Sequence, residues 1–334
     1  MAILRHIRIP SIAPHFPPYA LAVELQSHLQ KRLLEYKASV ALLGPSALKP
    51  PAPPPTLISF TPAPTYTLGR RQNGPLSAAE HDRLRAPLTV QYTSPGTNKP
   101  QRRNYEPDVV NAPRGGLATY HGPGQVVFWP VIDLHSQYHR QFTVHKYACL
   151  LEKTTIAALA RVTKDGLGGG IEGFTTTNPG VWVKHVPAGI RNTYPMTTGS
   201  YAEERKIAAL GVHLRRHVTA LGVAVNVNMP VVGPEETNPW SRIVACGLED
   251  KSVTNIVAEL YGNKGSDAEP YSQARETLQN QLSLAWADEF EERLGAQVQS
   301  TRYEDPDTEA MILAIEQRAR ESSAGHGLDA GHCI

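Results

Sequence analysis

The stretch RGGLATYHGPGQVVFWPVIDL, residues 114–134, departs most clearly from a generic globular pattern. Its glycines lack a Cβ, so they allow sharp turns and the close approach of other groups. The pattern predicts a β-hairpin with strands at 117–121 and 125–132 around a Gly-Pro-Gly turn. A Gly-rich turn alone favours a tight turn in a β-rich core. The polar side chains of Arg114, Tyr120 and His121, which lie beside glycine backbone, instead favour a ligand pocket.

The composition of the chain is that of an ordinary globular protein. It has 334 residues, of which 41% are hydrophobic and 19% charged, and its formal net charge is +2. This net charge is too small to indicate nucleic-acid binding by itself. No segment approaches the ~18 apolar residues that a membrane-spanning helix needs. The three cysteines, Cys149, Cys246 and Cys333, have no CxxC spacing, which argues against a disulfide scaffold or a cysteine zinc site and favours a reducing compartment.

Basic residues cluster in three places despite the low net charge, at 70–71, 99–103 and 215–216. Such clusters suit an acidic protein partner, although solvated surface charge is the commoner reason for them. The sequence by itself does not choose between these interpretations.

Apolar periodicity predicts four helices and several strands. Leucines four residues apart mark an amphipathic helix at 19–36. Three further helices are predicted, at 143–162, 273–294 and 307–321. Strands are predicted at 4–9, 57–60, 88–92 and 181–183, and the stretch 206–229 as two or three strands joined tightly at 215–216.

Cys246 is the strongest single candidate for chemistry. An apolar stretch, SRIVACGL at 241–248, is predicted to deliver its thiol to a Gly-containing turn, where the N–H groups of Gly247 and Leu248 could donate to a developing oxyanion. On residue type alone, a buried structural thiol is the commoner reading. A nucleophile also needs a partner that favours the thiolate. Lys206, His121 and His213 are the candidates, and spacing does not choose among them.

Four motifs together resemble the lipoyl(octanoyl) transferase family. They are RGGLATYHGPGQ (114–125), RKIAALGV (205–212), LGVAVNV (221–227) and IVACGL (243–248). The likeness runs from about residue 57 to 257 in one chain order. It implies an α/β (α+β) fold with a mixed, largely antiparallel central sheet flanked by helices, similar to biotin and lipoate protein ligases.

The resemblance also implies an acyltransferase with a covalent intermediate. Cys246 would attack the octanoyl thioester carried on acyl carrier protein, and Lys206 would lower the pKa of that thiol and move protons. The acyl group would then pass to a lysine of a lipoyl domain, the first step of endogenous protein lipoylation. The implied substrate-contact positions are Arg114, Gly115, Gly116, Leu117, Ala118, Thr119, Tyr120, His121, Ala209, Leu210, Gly211, Gly222, Val223 and Ala224.

The same resemblance sets expectations about partners. The donor would be octanoyl-acyl carrier protein, an acidic protein for which a basic cluster would be a docking face. The acceptors would be lipoyl domains of 2-oxoacid dehydrogenase E2 subunits and the glycine cleavage H protein. We expect a monomer with no cofactor, metal, nucleic acid or membrane partner. A mitochondrial location is expected from the resemblance and the Pro-rich insertions, and a cytoplasmic one otherwise.

We predict one catalytic domain over 1–300, followed by a C-terminal helix and flexible tail at 301–334. Loop insertions are predicted at 40–56, 84–110 and 185–204, with an exposed polyproline spacer at 49–56.

Two other functions remain open from the sequence. One is an ATP-dependent lipoate-protein ligase, in which the acid must first be adenylated. The other is a non-catalytic scaffold that binds lipoyl domains or acyl carriers. The cysteine of the CGL motif argues against the ligase, and acylation of the chain itself would exclude the scaffold.

Overall fold

The computed structural model describes residues 4–11, 13–43, 48–72, 74–93, 100–164, 170–185, 203–243, 252–262, 271–295 and 306–324. Its strands are β1 (Arg5–Arg8), β2 (Thr56–Phe60), β3 (Thr65–Leu68), β4 (Leu88–Thr93), β5 (Pro100–Tyr105), β6 (Asp108–Asn111), β7 (Thr119–His121), β8 (Gln125–Val131), β9 (Gly173–Phe174), β10 (Gly180–His185), β11 (Glu203–Arg215), β12 (Val218–Asn226) and β13 (Ser252–Val253). Its helices are α1 (Tyr19–Ala41), α2 (Ala78–Arg85), α3 (Val144–Thr163), α4 (Ile256–Tyr261), α5 (Tyr271–Leu294) and α6 (Pro306–Ala324), with a short 3₁₀ helix at Pro239–Arg242.

The central sheet has the strand order β1–β2–β8–β12–β11–β10–β9, and β13 lies beside the start of β11. The β1–β2 and β11–β13 pairs are parallel, and the other pairs are antiparallel. The predicted mixed, largely antiparallel sheet with flanking helices is therefore confirmed. The 206–229 stretch forms the β11–β12 hairpin, as predicted.

Helices cover both faces of this sheet. On one face α3 and α5 pack against the sheet, with Trp286 of α5 stacked on Phe128 of β8 at 4.5 Å between ring centroids. On the other face lies α1, whose leucines at positions 21, 25, 29 and 33 are buried, and α6 adds Ile315 to the same apolar cluster. Helix α3 begins where Thr143 caps it by accepting from the N–H of Lys146. The four predicted helices are present, and α1 runs five residues beyond its predicted end.

The predicted hairpin across 117–132 is wrong. Its two strands exist, but β7 pairs with β3 in a separate sheet of order β6–β3–β7, whereas β8 pairs with β2 and β12 in the central sheet. Gly124 has a φ of +89°, and its carbonyl accepts from the N–H groups of Val227 and Asn228. The Gly-Pro-Gly corner is thus held by the two residues that follow β12, and it moves the chain from one sheet to the other.

Two of the predicted loop insertions contain ordered structure. Residues 84–110 include β4 and β5, which form a two-stranded sheet, and β6. The polyproline stretch is also not a fully exposed spacer, because Ala52, Pro54 and Pro55 are buried. The carbonyl of Ala52 accepts from the Tyr138 hydroxyl at 2.8 Å, so packing compensates for the lack of regular backbone pairing.

Most of the third predicted insertion, 185–204, lies outside the described residues, as does the tail beyond residue 324. The division into a domain at 1–300 and a C-terminal helix and tail stays a prediction. Within the described part of the chain, no helix is long and apolar enough to cross a bilayer.

Candidate active site

A β-bulge sets the direction of Lys206. Val181 pairs with Ala208 and Trp182 pairs with Lys206, so Ile207 is an extra residue that has no partner on β10. Ile207 and Ala208 both lie in the apolar cluster beneath α3 and α5. Because a bulge interrupts the alternation of side chains along a strand, Lys206 faces the opposite side of the sheet.

The amine of Lys206 lies over an aromatic ring on that side. Its Nζ is 4.6 Å from the centroid of the Trp182 ring, and only 5% of the lysine surface is exposed. Trp182 is fully buried, and its Nε1 donates to the carbonyl of Asn178 at 3.0 Å, which fixes the ring orientation. An ammonium is attracted to the negative face of an indole, so the ring positions the charge. Sequence reasoning assigned Trp182 only to a strand.

At Lys206, strand β13 replaces β12 as the hydrogen-bonding partner of β11. Strand β12 pairs with β11 only from Ala208 onward, whereas Val253 pairs with Lys206, and the N–H of Thr254 donates to the carbonyl of Lys206 at 2.9 Å. Cys246 lies in the connection that leads into β13, at 244–251, which is outside the described residues. Gly247 and Leu248, the predicted oxyanion donors, lie there too.

The approach to that connection differs from its prediction. An extended apolar stretch was expected from residue 241, but Ser241 and Arg242 belong to the 3₁₀ helix that begins at Pro239. Asn238 caps this helix, and the fixed φ of proline suits its first position. Only at Ile243 does the backbone become extended.

An aromatic cluster contacts described residues on both sides of the 244–251 connection. It is built on Tyr66, Tyr120 and Trp240, with the Tyr66 and Tyr120 rings 5.2 Å apart. Ile243, just before the connection, and Val253, two residues after it, both pack against this cluster. The described residues that flank this connection therefore pack on one apolar cluster.

A chain of buried amide groups connects the Gly-rich stretch to the strand that flanks Lys206. The carbonyl of Thr254 accepts from Asn226 Nδ2 at 2.9 Å, and Asn226 Oδ1 accepts from Gln125 Nε2 at 2.9 Å. Gln125 Oε1 is then left to face His121 Nδ1, also at 2.9 Å. Because a carbonyl can only accept, the direction of every bond in the chain follows from Thr254. His121 is consequently held with its proton on Nδ1.

His121 is neutral near pH 7. Burial lowers its pKa to about 4, with Arg114 acting in the same direction and the bond to Gln125 opposing it. Its ring stacks on that of Tyr19 with 5.5 Å between centroids. The pKa of His213 is also lowered, by burial and by two neighbouring arginines. Of the three candidate partners of Cys246, Lys206 is therefore the one suited to stabilise a thiolate by charge.

The two predicted substrate-contact triplets lie directly opposite one another. Ala209, Leu210 and Gly211 of β11 pair in register with Ala224, Val223 and Gly222 of β12, respectively. The side chains of Leu210 and Val223 point into the apolar cluster of α3 and α5, so only their backbone is available to the Lys206 side. A Cβ on Gly222 would lie 2.1 Å from the carbonyl oxygen of Phe128, which explains the glycine by close strand packing.

Arg114 organises the Gly-rich stretch from inside. Its guanidinium donates to the carbonyl of Thr67 at 2.6 Å and to that of Leu117 at 2.8 Å, and the residue is 8% exposed. Its side chain also fills the space above Gly211, where a Cβ would lie 2.7 Å from Arg114 Cδ. Gly115 is exposed, and the predicted contact residues Gly116, Leu117 and Ala118 are partly exposed. Thr119, Tyr120 and His121 form the buried strand β7.

Comparisons with known proteins point in one direction. Residues 46–274 match the profile of the lipoyl protein ligase A/B catalytic domain. A probable octanoyltransferase of Schizosaccharomyces pombe is 31% identical over 254 residues, covering 76% of this chain and 86% of that protein. The mitochondrial octanoyl-[acyl-carrier-protein]:protein N-octanoyltransferase of Danio rerio is 30% identical over 62% of this chain and 68% of its own length. The mitochondrial octanoyltransferase of Saccharomyces cerevisiae is 28% identical over 71% of this chain and 65% of its own length.

Proposed function

Because the chain belongs to the lipoyl protein ligase A/B catalytic-domain family and is an octanoyltransferase within it, we propose that it works through a thioester on Cys246. The octanoyl group comes from octanoyl-acyl carrier protein and goes to a lysine of a lipoyl domain. The observation that carries this proposal is the placement of the Lys206 amine on one face of β11, next to the strand into which the Cys246 segment leads.

In the first half-reaction, the sulfur of Cys246 attacks the thioester carbonyl of the donor. The Lys206 ammonium stabilises the attacking thiolate by Coulomb attraction, which is strong in a site with little water. A new C–S bond forms, the bond to the carrier's sulfur breaks, and the departing thiolate takes a proton from the Lys206 ammonium, which becomes a neutral amine. Trp182 supports this step by holding the ammonium, since the ring and the Nζ are 4.6 Å apart and both residues are buried.

In the second half-reaction, the acceptor lysine must lose a proton before its amine can attack. Because the first half-reaction leaves Lys206 as a neutral amine, Lys206 takes a proton from the acceptor ammonium and becomes an ammonium again. The acceptor nitrogen forms the amide bond and releases its second proton to water, and the thiolate of Cys246 leaves and is restored.

We further propose the partners and the compartment. The acceptors are lipoyl domains of 2-oxoacid dehydrogenase E2 subunits and the glycine cleavage H protein. The mitochondrion is the proposed location, because the relatives from Danio rerio and Saccharomyces cerevisiae are named as mitochondrial proteins.

Intact-mass measurement of the full chain tests the thioester. After incubation with octanoyl-acyl carrier protein and no acceptor, we expect a single added octanoyl group that Cys246→Ser abolishes. Cys149→Ser is the matched control, since Cys149 is a free, partly buried cysteine on α3, and this variant should still be acylated. An adduct that survives Cys246→Ser, or one lost in the Cys149 variant, would overturn the assignment.

The ligase alternative is tested in the same assay with free octanoate. Transfer to a lipoyl domain from octanoate and ATP, with none from the carrier, would establish the ligase. Absence of both reactions, together with binding of the lipoyl domain, would establish the scaffold.

A further inference from the structure

Two arginine pairs that are far apart in the sequence meet in the structure. Nη2 of Arg70 lies 3.3 Å from Nε2 of His213, and the charges of Arg70 and Arg215 both lower the pKa of His213. Arg71 and Arg216 continue the two pairs, and all four arginines are exposed. Across the described residues, no carboxylate forms an ion pair with any of the four. We name Arg70, Arg71, His213, Arg215 and Arg216 the arginine surface.

The arginine surface is joined to the predicted substrate-contact stretch by backbone bonds. The N–H of Arg70 donates to the carbonyl of Arg114 at 3.0 Å, and the N–H of Arg71 to that of Gly116 at 3.1 Å. These bonds hold the backbone of Arg70 and Arg71 beside the Gly-rich segment. The surface and the candidate site are therefore parts of one structural unit.

Strand β11 connects the same surface to Lys206. On the side opposite the α3 and α5 cluster, the strand presents Lys206, then Gly211 beneath Arg114, and then His213 beside Arg70. From Lys206 to His213 is seven residues, or about 23 Å along a strand. A carrier protein holds its acyl thioester on a long flexible arm. For a carrier bound on the arginine surface, this arm would span the distance along β11 between His213 and Lys206.

The tip of the β11–β12 hairpin, next to Arg215 and including Arg216, has an unfavourable backbone conformation. Arg216 and His217 form the two-residue turn of the β11–β12 hairpin, with φ values of +50° and +69°. Asn-Gly is the sequence that suits such a turn, and bulky residues resist positive φ. Non-glycine residues at positive φ are uncommon, and strained positions of this kind often serve a function.

We propose that the arginine surface docks the acidic face of the acyl carrier protein that delivers the octanoyl group; this rests on the proposed function. The arginines of this surface carry positive charge, opposite to that of the carrier, and form no ion pair with a carboxylate among the described residues. The arginine surface also borders the candidate site. The third basic cluster, at 99–103, is not part of the surface, since Arg102 and Arg103 lie on β5 in the separate β4–β5 sheet.

Steady-state kinetics with two octanoyl donors tests the proposal. The donors are octanoyl-acyl carrier protein and the small thioester octanoyl-N-acetylcysteamine, each with saturating lipoyl domain. For the full chain with Arg70→Gln and Arg215→Gln, we expect kcat/KM for the carrier to fall by about tenfold or more, mainly through KM, and to become less sensitive to salt. The value for the small donor should be unchanged, because it needs no docking.

The controls separate docking from folding and from the proposed function. Arg318→Gln with Arg320→Gln removes the same charge from exposed positions on α6 and should leave both donors unaffected. Arg70→Lys with Arg215→Lys keeps the charge and should retain most of the carrier activity.

An equal loss with both donors, no loss with the carrier, or a rise only in the KM of the lipoyl domain would overturn the docking proposal. A wild-type chain that forms no octanoyl adduct from either donor would instead overturn the proposed function.

Discussion

The Nζ of Lys206 lies 4.6 Å from the centre of the Trp182 ring, and the two residues are cross-strand partners in β11 and β10. This is the most direct contact that the described residues make with the proposed catalytic amine. It depends on the bulge at Ile207, which turns Lys206 to the same side of the sheet as the tryptophan.

Loss of the aromatic face should slow acylation of Cys246. We expect Trp182→Leu to lower the rate of octanoyl adduct formation by about tenfold, within the range for a partly desolvated cation–π contact. Trp182→Phe keeps a ring and should retain most of the rate. Rapid-quench mass spectrometry measures both, and circular dichroism verifies folding. Equal rates for the leucine and phenylalanine variants would show that the ring does not position Lys206.

Acid should destabilise the protein through His121. Its pKa is about 4 in the folded chain, against 6.5 for the free side chain. Between pH 6.5 and pH 4, His121 therefore binds a proton in the unfolded chain but not in the folded chain. The free energy of unfolding consequently falls as the pH drops from about 6.5 to 4. The full shift corresponds to about 3 kcal/mol.

Urea unfolding at several pH values measures this effect. His121→Gln should flatten the pH dependence in this window. The pKa of His6 is also lowered to about 4, so His6→Gln provides a matched control that should flatten the curve independently. An unchanged slope in His121→Gln would contradict the prediction.

The amide of Asn226 should be sensitive to exchange for a carboxylate. Asn226→Asp replaces the donor to Thr254 by an acceptor and leaves a buried carbonyl without its bond. We expect a loss of about 2 kcal/mol in the free energy of unfolding, measured in urea. Asn228→Ala is the control, since Asn228 Oδ1 has no hydrogen-bond partner in the described structure and should cost less. A larger loss at Asn228 would reverse this ranking.

Gly222 should tolerate no side chain. In Gly222→Ala, the new Cβ would lie 2.1 Å from the Phe128 carbonyl oxygen, a backbone atom that cannot rotate away. We expect a loss of about 3 kcal/mol or more in stability, measured by thermal unfolding. Gly115→Ala should be close to neutral, because nothing lies within 4 Å of its added Cβ. Comparable losses at both positions would contradict the close-packing explanation.

Local periodicity predicted the elements well but not their assembly. The leucines of α1 and the alternation in β11 and β12 report which face is apolar, and both elements form as expected. The stretch around Gly122 and Gly124 shows two strands and a corner, yet it carries no information about which sheet each strand joins. That choice depends on partners distant in the sequence, such as β3 and β12.

The candidate site was predicted in part. Family resemblance pointed to Lys206, but Trp182, Gln125 and Asn226 were missed. Strict alternation in RKIAA would place Lys206 on the same side as Ala208, and only the observed register reveals the extra residue. A signal for Asn226 was present, because a polar residue ends the otherwise apolar run of β12.

The unpaired residue at position 207 sets the side of the sheet on which the amine of Lys206 lies. An in-frame loss of that one codon would leave Lys206 next to Ala208 in regular alternation, so the amine would keep its present side of the sheet. Regular pairing with Ile207 retained would instead turn the amine into the apolar layer beneath α3 and α5, where a charge without a partner is costly to bury. Deletion of the codon would therefore cost the packing of one apolar side chain, whereas loss of the bulge alone would cost the amine its position.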